Sequence, residues 1–159
     1  MKYIATAALM AAGLAFSAHA VWADGHGAAL EKAIKARQSL MQVYAFNLGG
    51  LGAMAKGEAE YDAKLASALA GSLENAARAN VGAMWPQGSD STAMPGKTRA
   101  LVKAWETYPE SKTKQEALQT AASNLVKVAG NGVEALKAAV GEVGKSCGGC
   151  HKPFRAPKK

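Results

Sequence analysis

The chain has 159 residues, enough for one domain around one core. Aromatic residues make up 6% and charged residues 19%, alanine and leucine are abundant, and runs of β-branched residues are absent, a balance that suits packed helices. A net charge of +7 would suit a nucleic acid or another anionic partner, but the lysines are spread out and no arginine-rich block or nucleic-acid-binding motif occurs. That excludes nucleic acid and leaves a solvated basic surface.

Residues 1–20 read as an export leader. Lys2 is a short basic start, Ile4 to Phe16 is an apolar stretch too short to span a bilayer, and Ala18-His19-Ala20 is a cleavage signal. Val21-Trp22-Ala23 offers a second cleavage point, after residue 23. Residues 21–159 are then expected to be an exported, soluble single domain without a membrane anchor, since no other long apolar run follows.

The first helix is predicted from about Ala28 to about Lys56. Leu30, Ile34, Arg37, Met41, Tyr44, Leu48 and Leu51 alternate at spacings of four and three, which is a buried seam. Arg37 interrupts it, and an arginine there must be paired or reach the end of the bundle. Lys56-Gly57-Glu58 is the expected stop. A second helix is predicted from about Tyr61 to about Met84, with Tyr61, Leu65, Leu69, Leu73, Ala76 and Met84 as its apolar face. Trp85-Pro86-Gln87-Gly88-Ser89-Asp90 reads as a turn and loop that continues through Met94-Pro95-Gly96.

A third helical stretch starts near Lys97, with Leu101, Val102 and Trp105 directed inward. Pro109 is expected to break or kink it after Tyr108. The longer part runs from Ser111, a plausible N-cap, to Ala129, and Gly130-Asn131-Gly132 stops it. In the fourth helix Val133, Leu136, Val140, Val143, Cys147, Cys150 and Phe154 keep the three–four alternation without a miss. Pro153 falls where that helix is expected to end.

The fourth helix carries Cys147-Gly148-Gly149-Cys150-His151, the C-x-x-C-H attachment signature of a c-type haem. Cys147, Cys150 and His151 lie three and four residues apart, so all three point from one helical face toward one flat macrocycle. The thiols add to the vinyl groups and His151 supplies a nitrogen to the iron. A redox dithiol would sit beside a βαβ pattern, which is absent. Structural zinc needs four ligands, and here three are crowded into five residues. A plain disulfide leaves His151 unexplained. Export agrees with the motif, because c-type haem is attached outside the bacterial cytoplasm, which points to the periplasm.

Four amphipathic helices joined by short connections predict an all-α, antiparallel four-helix bundle, up-down-up-down, with covalently bound haem. In that topology the end of the fourth helix meets the first half of the first helix, the end of the second and the loop after it. The candidates for the iron's far side are therefore Met41, Met84, Met94 and His26, while Met54 is too far along. Met41 is on the seam of a regular helix, so it is either a ligand or ordinary core packing. Helical rise sets it about 10 Å deeper than His151, a difference that helix stagger must absorb.

Lys35-Ala36-Arg37-Gln38-Ser39, the Trp85-Pro86-Gln87-Gly88-Ser89 loop and the C-terminal Cys147-Gly148-Gly149-Cys150-His151 with Phe154-Arg155 make the whole mature chain similar to the class II c-type cytochromes, the cytochrome c′ family. The resemblance implies thioether bonds at Cys147 and Cys150, a proximal ligand at His151, and Arg37 near a haem propionate. It also sets Arg155 and Trp85 beside the haem. The position four residues after the first-helix arginine is the distal one. In the low-spin, c-556-like subgroup it is a methionine that binds the iron, and here it is Met41.

His/Met ligation raises the potential and leaves no open position for a substrate. The expectation is an electron carrier, not an enzyme, serving an unidentified periplasmic redox partner whose docking face is acidic. The alternative is a five-coordinate cytochrome c′ that binds NO or CO for buffering or sensing. A peroxidase-like haem would need a distal acid–base group, usually histidine, and beyond His151 only His26 remains in the mature chain. The family resemblance also implies a homodimer through the first two helices.

Overall fold

The computed structural model describes residues 15–158, so the leader expected over residues 1–20 lies largely outside the described residues. Among the described residues no helix is long and apolar enough to cross a membrane. The elements are α1 (Ala15–Lys56), α2 (Ala63–Arg78), α3 (Lys103–Glu106), α4 (Tyr108–Val128) and α5 (Val133–Phe154). Four of them form the expected bundle. α1 packs on α2, α2 on α4, α4 on α5, and α5 back on α1. Leu51, Leu73, Leu125, Leu136 and Val143 are fully buried between them.

α1 reaches back past its expected start near Ala28. It ends where expected. Gly57 takes a left-handed turn (φ +74°), its amide donates to Met54 O, and the Glu58 amide donates to Ala53 O, which caps the last carbonyls. Asp62 opens α2 by accepting from the Lys64 and Leu65 amides at 2.8 and 2.9 Å. Leu30, Ile34, Arg37, Tyr44 and Leu51 of the predicted α1 seam are buried, and Met41 and Leu48 are partly buried.

α2 departs from prediction in two ways. It stops at Arg78, and a 3-10 turn at Gly82–Met84 follows. The Asn80 side chain accepts from the Gly82 amide, a local turn that competes with helix continuation. Its core face is Ala66, Ala70, Leu73 and Ala77, whereas Leu65 is 50% exposed. Small residues on that face let the neighbouring helices approach closely. A Cβ on Gly50 of α1 would lie 2.8 Å from Leu69 Cδ1, and one on Gly130 would lie 2.7 Å from Ser67 Oγ.

The break between α3 and α4 falls at Thr107, two residues before Pro109. Pro109 sits in the first turn of α4, where its missing N–H costs no helical bond. Ser111 is inside that turn and is not the cap; its hydroxyl donates to Ala104 O at 2.8 Å. Ala104 fills the buried position there, while Val102 is exposed. α5 continues through Pro153 to Phe154, and Val133 at its start is exposed.

The link from α2 to α4, residues 79–107, is not short. It folds over the end of the bundle where α5 finishes. The Leu101 amide donates to Phe154 O at 2.9 Å and the Ala156 amide to Arg99 O at 2.8 Å, around an antiparallel bridge between Ala100 and Arg155.

Candidate haem-binding site

Arg37 holds the long link in place. It is 3% exposed, and four hydrogen bonds leave its terminal nitrogens. Nη1 donates to Ser89 Oγ at 2.7 Å and to Met84 O at 3.3 Å. Nη2 donates to Thr98 Oγ1 at 2.9 Å and to Ser89 O. Its guanidinium carbon stacks 4.7 Å from the Trp85 ring and 5.6 Å from the Trp105 ring. The two indoles lie 5.4 Å apart, and Trp105 Nε1 donates to Trp85 O at 3.0 Å. Burial lowers the Arg37 pKa, and the Asp90 carboxylate works the other way. Asp90 itself is held low despite its burial, because the Ala93 and Thr92 amides donate to it. Arg37 and Trp85, both expected beside the haem, are thus brought together as the pin of the loop.

The loop's far end is tied to α5, which sets the register of that helix against α1. Arg37 and Gln38 bond to Thr98 and Lys97, and Arg99 and Ala100 pair with Ala156 and Arg155. Further along α1, Tyr44 is close enough to Cys147 to feel its charge, which adds to the upward push that burial gives its phenol and that Gln115 opposes. Beyond that, a groove of about 350 Å³ has Leu48, Gly49, Gly52 and Ala53 on one wall and Val140 and Gly144 on the other. Positions rising along α1 therefore meet positions falling along α5. Met41 lies one turn after Arg37 and three residues before Tyr44 on α1. The depth difference inferred from helix ends is taken up because α1 extends beyond the end of α5.

Met41 and Cys147 pack against the same core cluster. Met54 is buried in the core, Met84 and Met94 are half-buried in the long link, and His26 is exposed.

The motif residues fit covalent haem. Cys147 and Cys150 are free and half-buried on one face of α5. Burial pushes both thiols up, so at neutral pH they are protonated. For Cys150 the neighbouring Cys147 adds to the rise, while Lys114 and Arg155 oppose it. Burial pushes the His151 imidazole down, helped by the positive charges of Arg155 and Arg99, so it is neutral and keeps a free nitrogen lone pair. Among the described residues no group of three or more His, Cys, Asp or Glu side chains is arranged to hold a bare metal ion, which counts against the zinc reading. Arg99, Lys114 and Trp105 were not singled out as site residues from sequence. Arg99 and Lys114 lie outside any apolar period, and only the folded contacts connect them to the motif.

The family described as Cytochrome C′ matches residues 32–155, nearly all of the bundle. The chain belongs to the cytochrome c′ family. A cytochrome c′ of Cereibacter sphaeroides is 34% identical over 158 residues, covering 99% of this chain and 100% of that one. A cytochrome c-556 of Agrobacterium tumefaciens is 27% identical, covering 79% of this chain and 98% of that one. The solved cytochrome c′ from Rhodobacter Spheriodes superposes with a TM-score of 0.79 at 33% identity, covering 81% of this chain and 98% of that chain. As a cytochrome c′ family member the protein is a c-type cytochrome with one covalently attached haem c.

Proposed function

We propose that this cytochrome is a low-spin, c-556-like single-electron carrier of the periplasm. In this reading Cys147 and Cys150 hold the haem, His151 and Met41 bind its iron, and Arg37, Trp85 and Arg155 surround it. The group supplies an iron centre that changes its charge by one electron. The chain's part is to keep both ligands fixed. His151 is neutral and ready to bind. Met41 stands one turn after Arg37, whose four hydrogen bonds lock that part of α1. Its thioether is a soft ligand on an unbranched side chain.

The observation that carries the reading is the antiparallel packing of α1 on α5 with Met41 and Cys147 against one core cluster, which supports Met41 as the ligand facing His151. The reading also favours a carrier over an enzyme. His26 is exposed and lies about 22 Å before Met41 along α1, too far to serve as a distal acid or base. Two apolar side chains on the outside of α1 further support a homodimer through α1 and α2.

The test is the optical spectrum of ferric and ferrous holoprotein, with and without CO. A six-coordinate spectrum with a sulfur–iron charge-transfer band, unmoved by CO, is expected. Met41→Ala should abolish that band. A high-spin ferrous spectrum that shifts at once with CO would sink the carrier reading and put NO or CO binding in its place.

A further inference from the structure

The Gly130-Asn131-Gly132 stop between α4 and α5 carries chemistry of its own. Of the asparagines in the chain, Asn131 alone precedes a glycine; Asn47 and Asn124 precede leucine, Asn75 alanine and Asn80 valine. The side-chain amide of an asparagine is open to attack by the backbone nitrogen of the next residue. A side chain on that residue crowds the attack, and glycine has none. Asn131 is exposed to the water that the reaction needs. Gly132 takes φ +104°, a conformation that glycine adopts freely.

The turn is nevertheless tied at the atoms that must move. The Tyr61 hydroxyl, just ahead of α2, accepts from the Gly132 amide at 2.9 Å and donates to Ala129 O at 3.0 Å, so it spans the turn. The Asn131 side-chain amide donates back to Lys127 O at 3.3 Å, and its backbone amide donates to Val128 O at 2.9 Å. Tyr61 packs against the core, which holds its hydroxyl in place. Gly130 abuts the first turns of α2, where an added Cβ would lie 2.7 Å from Ser67 Oγ, so the turn has no room to slide that way.

We propose that Asn131 is a site of spontaneous deamidation and that the Tyr61 hydroxyl is the latch that sets its rate. When the latch opens, the Gly132 nitrogen attacks Asn131 Cγ. The new C–N bond closes a succinimide ring, and the side-chain nitrogen leaves as ammonia, taking the proton that the Gly132 amide gives up. Water then opens the ring at either carbonyl and leaves aspartate or isoaspartate, with one new negative charge. While the latch is closed, the Gly132 N–H is held by an oxygen acceptor, and its nitrogen neither loses that proton nor turns onto Cγ. The rate therefore reports how often the α4–α5 turn leaves Tyr61. The site stands at the far end of α5 from the motif, about 22 Å of helix rise from Cys147, so haem spectra report folding independently of it.

For the test, wild-type and Tyr61→Phe holoproteins are aged in mildly alkaline buffer, with guanidinium-unfolded wild type alongside. The tryptic peptide 128–137 is followed by mass spectrometry for the replacement of amide by carboxyl. Folded wild type is expected to react slowest and the unfolded chain fastest. Folded Tyr61→Phe keeps the ring and the optical spectrum, and should react about tenfold faster than folded wild type, the scale of losing the hydrogen bonds of one hydroxyl. Asn131→Gln should show no conversion in that peptide. Equal rates in folded wild type and Tyr61→Phe would overturn the latch, as would a folded wild type that reacts as fast as the unfolded chain. Earlier conversion at another asparagine would overturn the site. If Tyr61→Phe loses its fold, hydrogen exchange in wild type decides. A Gly132 N–H protected to the extent that folding slows deamidation supports the latch, and one that exchanges at the unfolded-chain rate overturns it.

Discussion

An arginine on an apolar seam is costly unless every donor is used, and Arg37 uses both terminal nitrogens twice. Removing it strands Ser89, which is buried, and leaves the Asp90 carboxylate without its compensating charge. Arg37→Ala is therefore expected to cost about 3–5 kcal/mol, read as a lower urea midpoint. Arg37→Lys keeps the charge but loses the planar fork and should fall between the two. An unchanged midpoint in both variants would mean that the loop is held by something else. Asp90 adds a pH dependence. Its folded pKa lies below the ordinary 3.8, so the unfolded chain takes up the proton first as pH falls. The stability it contributes is complete above about pH 5 and is lost as pH falls through the depressed folded value. Thermal midpoints of wild type and Asp90→Asn should differ at pH 6 and converge as the pH falls below the ordinary 3.8 and through the depressed folded value. A gap that stays constant across that range would remove Asp90 as its source.

At the scale of elements, the sequence was easiest to read where a large side chain could face only the core. The α1 seam from Leu30 to Leu51 and the α5 run through Cys147 and Cys150 kept one period throughout. α2 misled because alanine sits equally well inside or outside. Leu73 of the expected leucine face is fully buried and Tyr61, Leu69 and Ala76 pack against the core, but Leu65 is exposed, and Ala66, Ala70 and Ala77 complete the buried face instead. The link over residues 79–107 has no period at all; its shape follows from Arg37, the Trp85–Trp105 pair and its bonds to residues 154–156. The phase of α2 makes a direct prediction. Ala70→Leu overfills a position with no exposure and should cost about 1–3 kcal/mol. Leu65→Ala removes a half-exposed side chain and should cost well under that. Chemical denaturation of the two variants would reverse this order if the leucine face were the buried one.

At the scale of the molecule, α1 carries an apolar strip on its outer face. Phe46 is 76% exposed and Val43 is 45% exposed. They stand four and seven residues before Gly50, which abuts Leu69 of α2, so the three share the flank of α1 that meets α2. An exposed phenylalanine in the middle of a helix would be covered by a second apolar strip, and a twofold axis along α1–α2 would provide it from an identical chain. Sedimentation equilibrium of the holoprotein is expected to give a dimer. Phe46→Glu should shift it to monomer without changing the optical spectrum. A wild-type protein that sediments as a monomer at high concentration would reject the dimer.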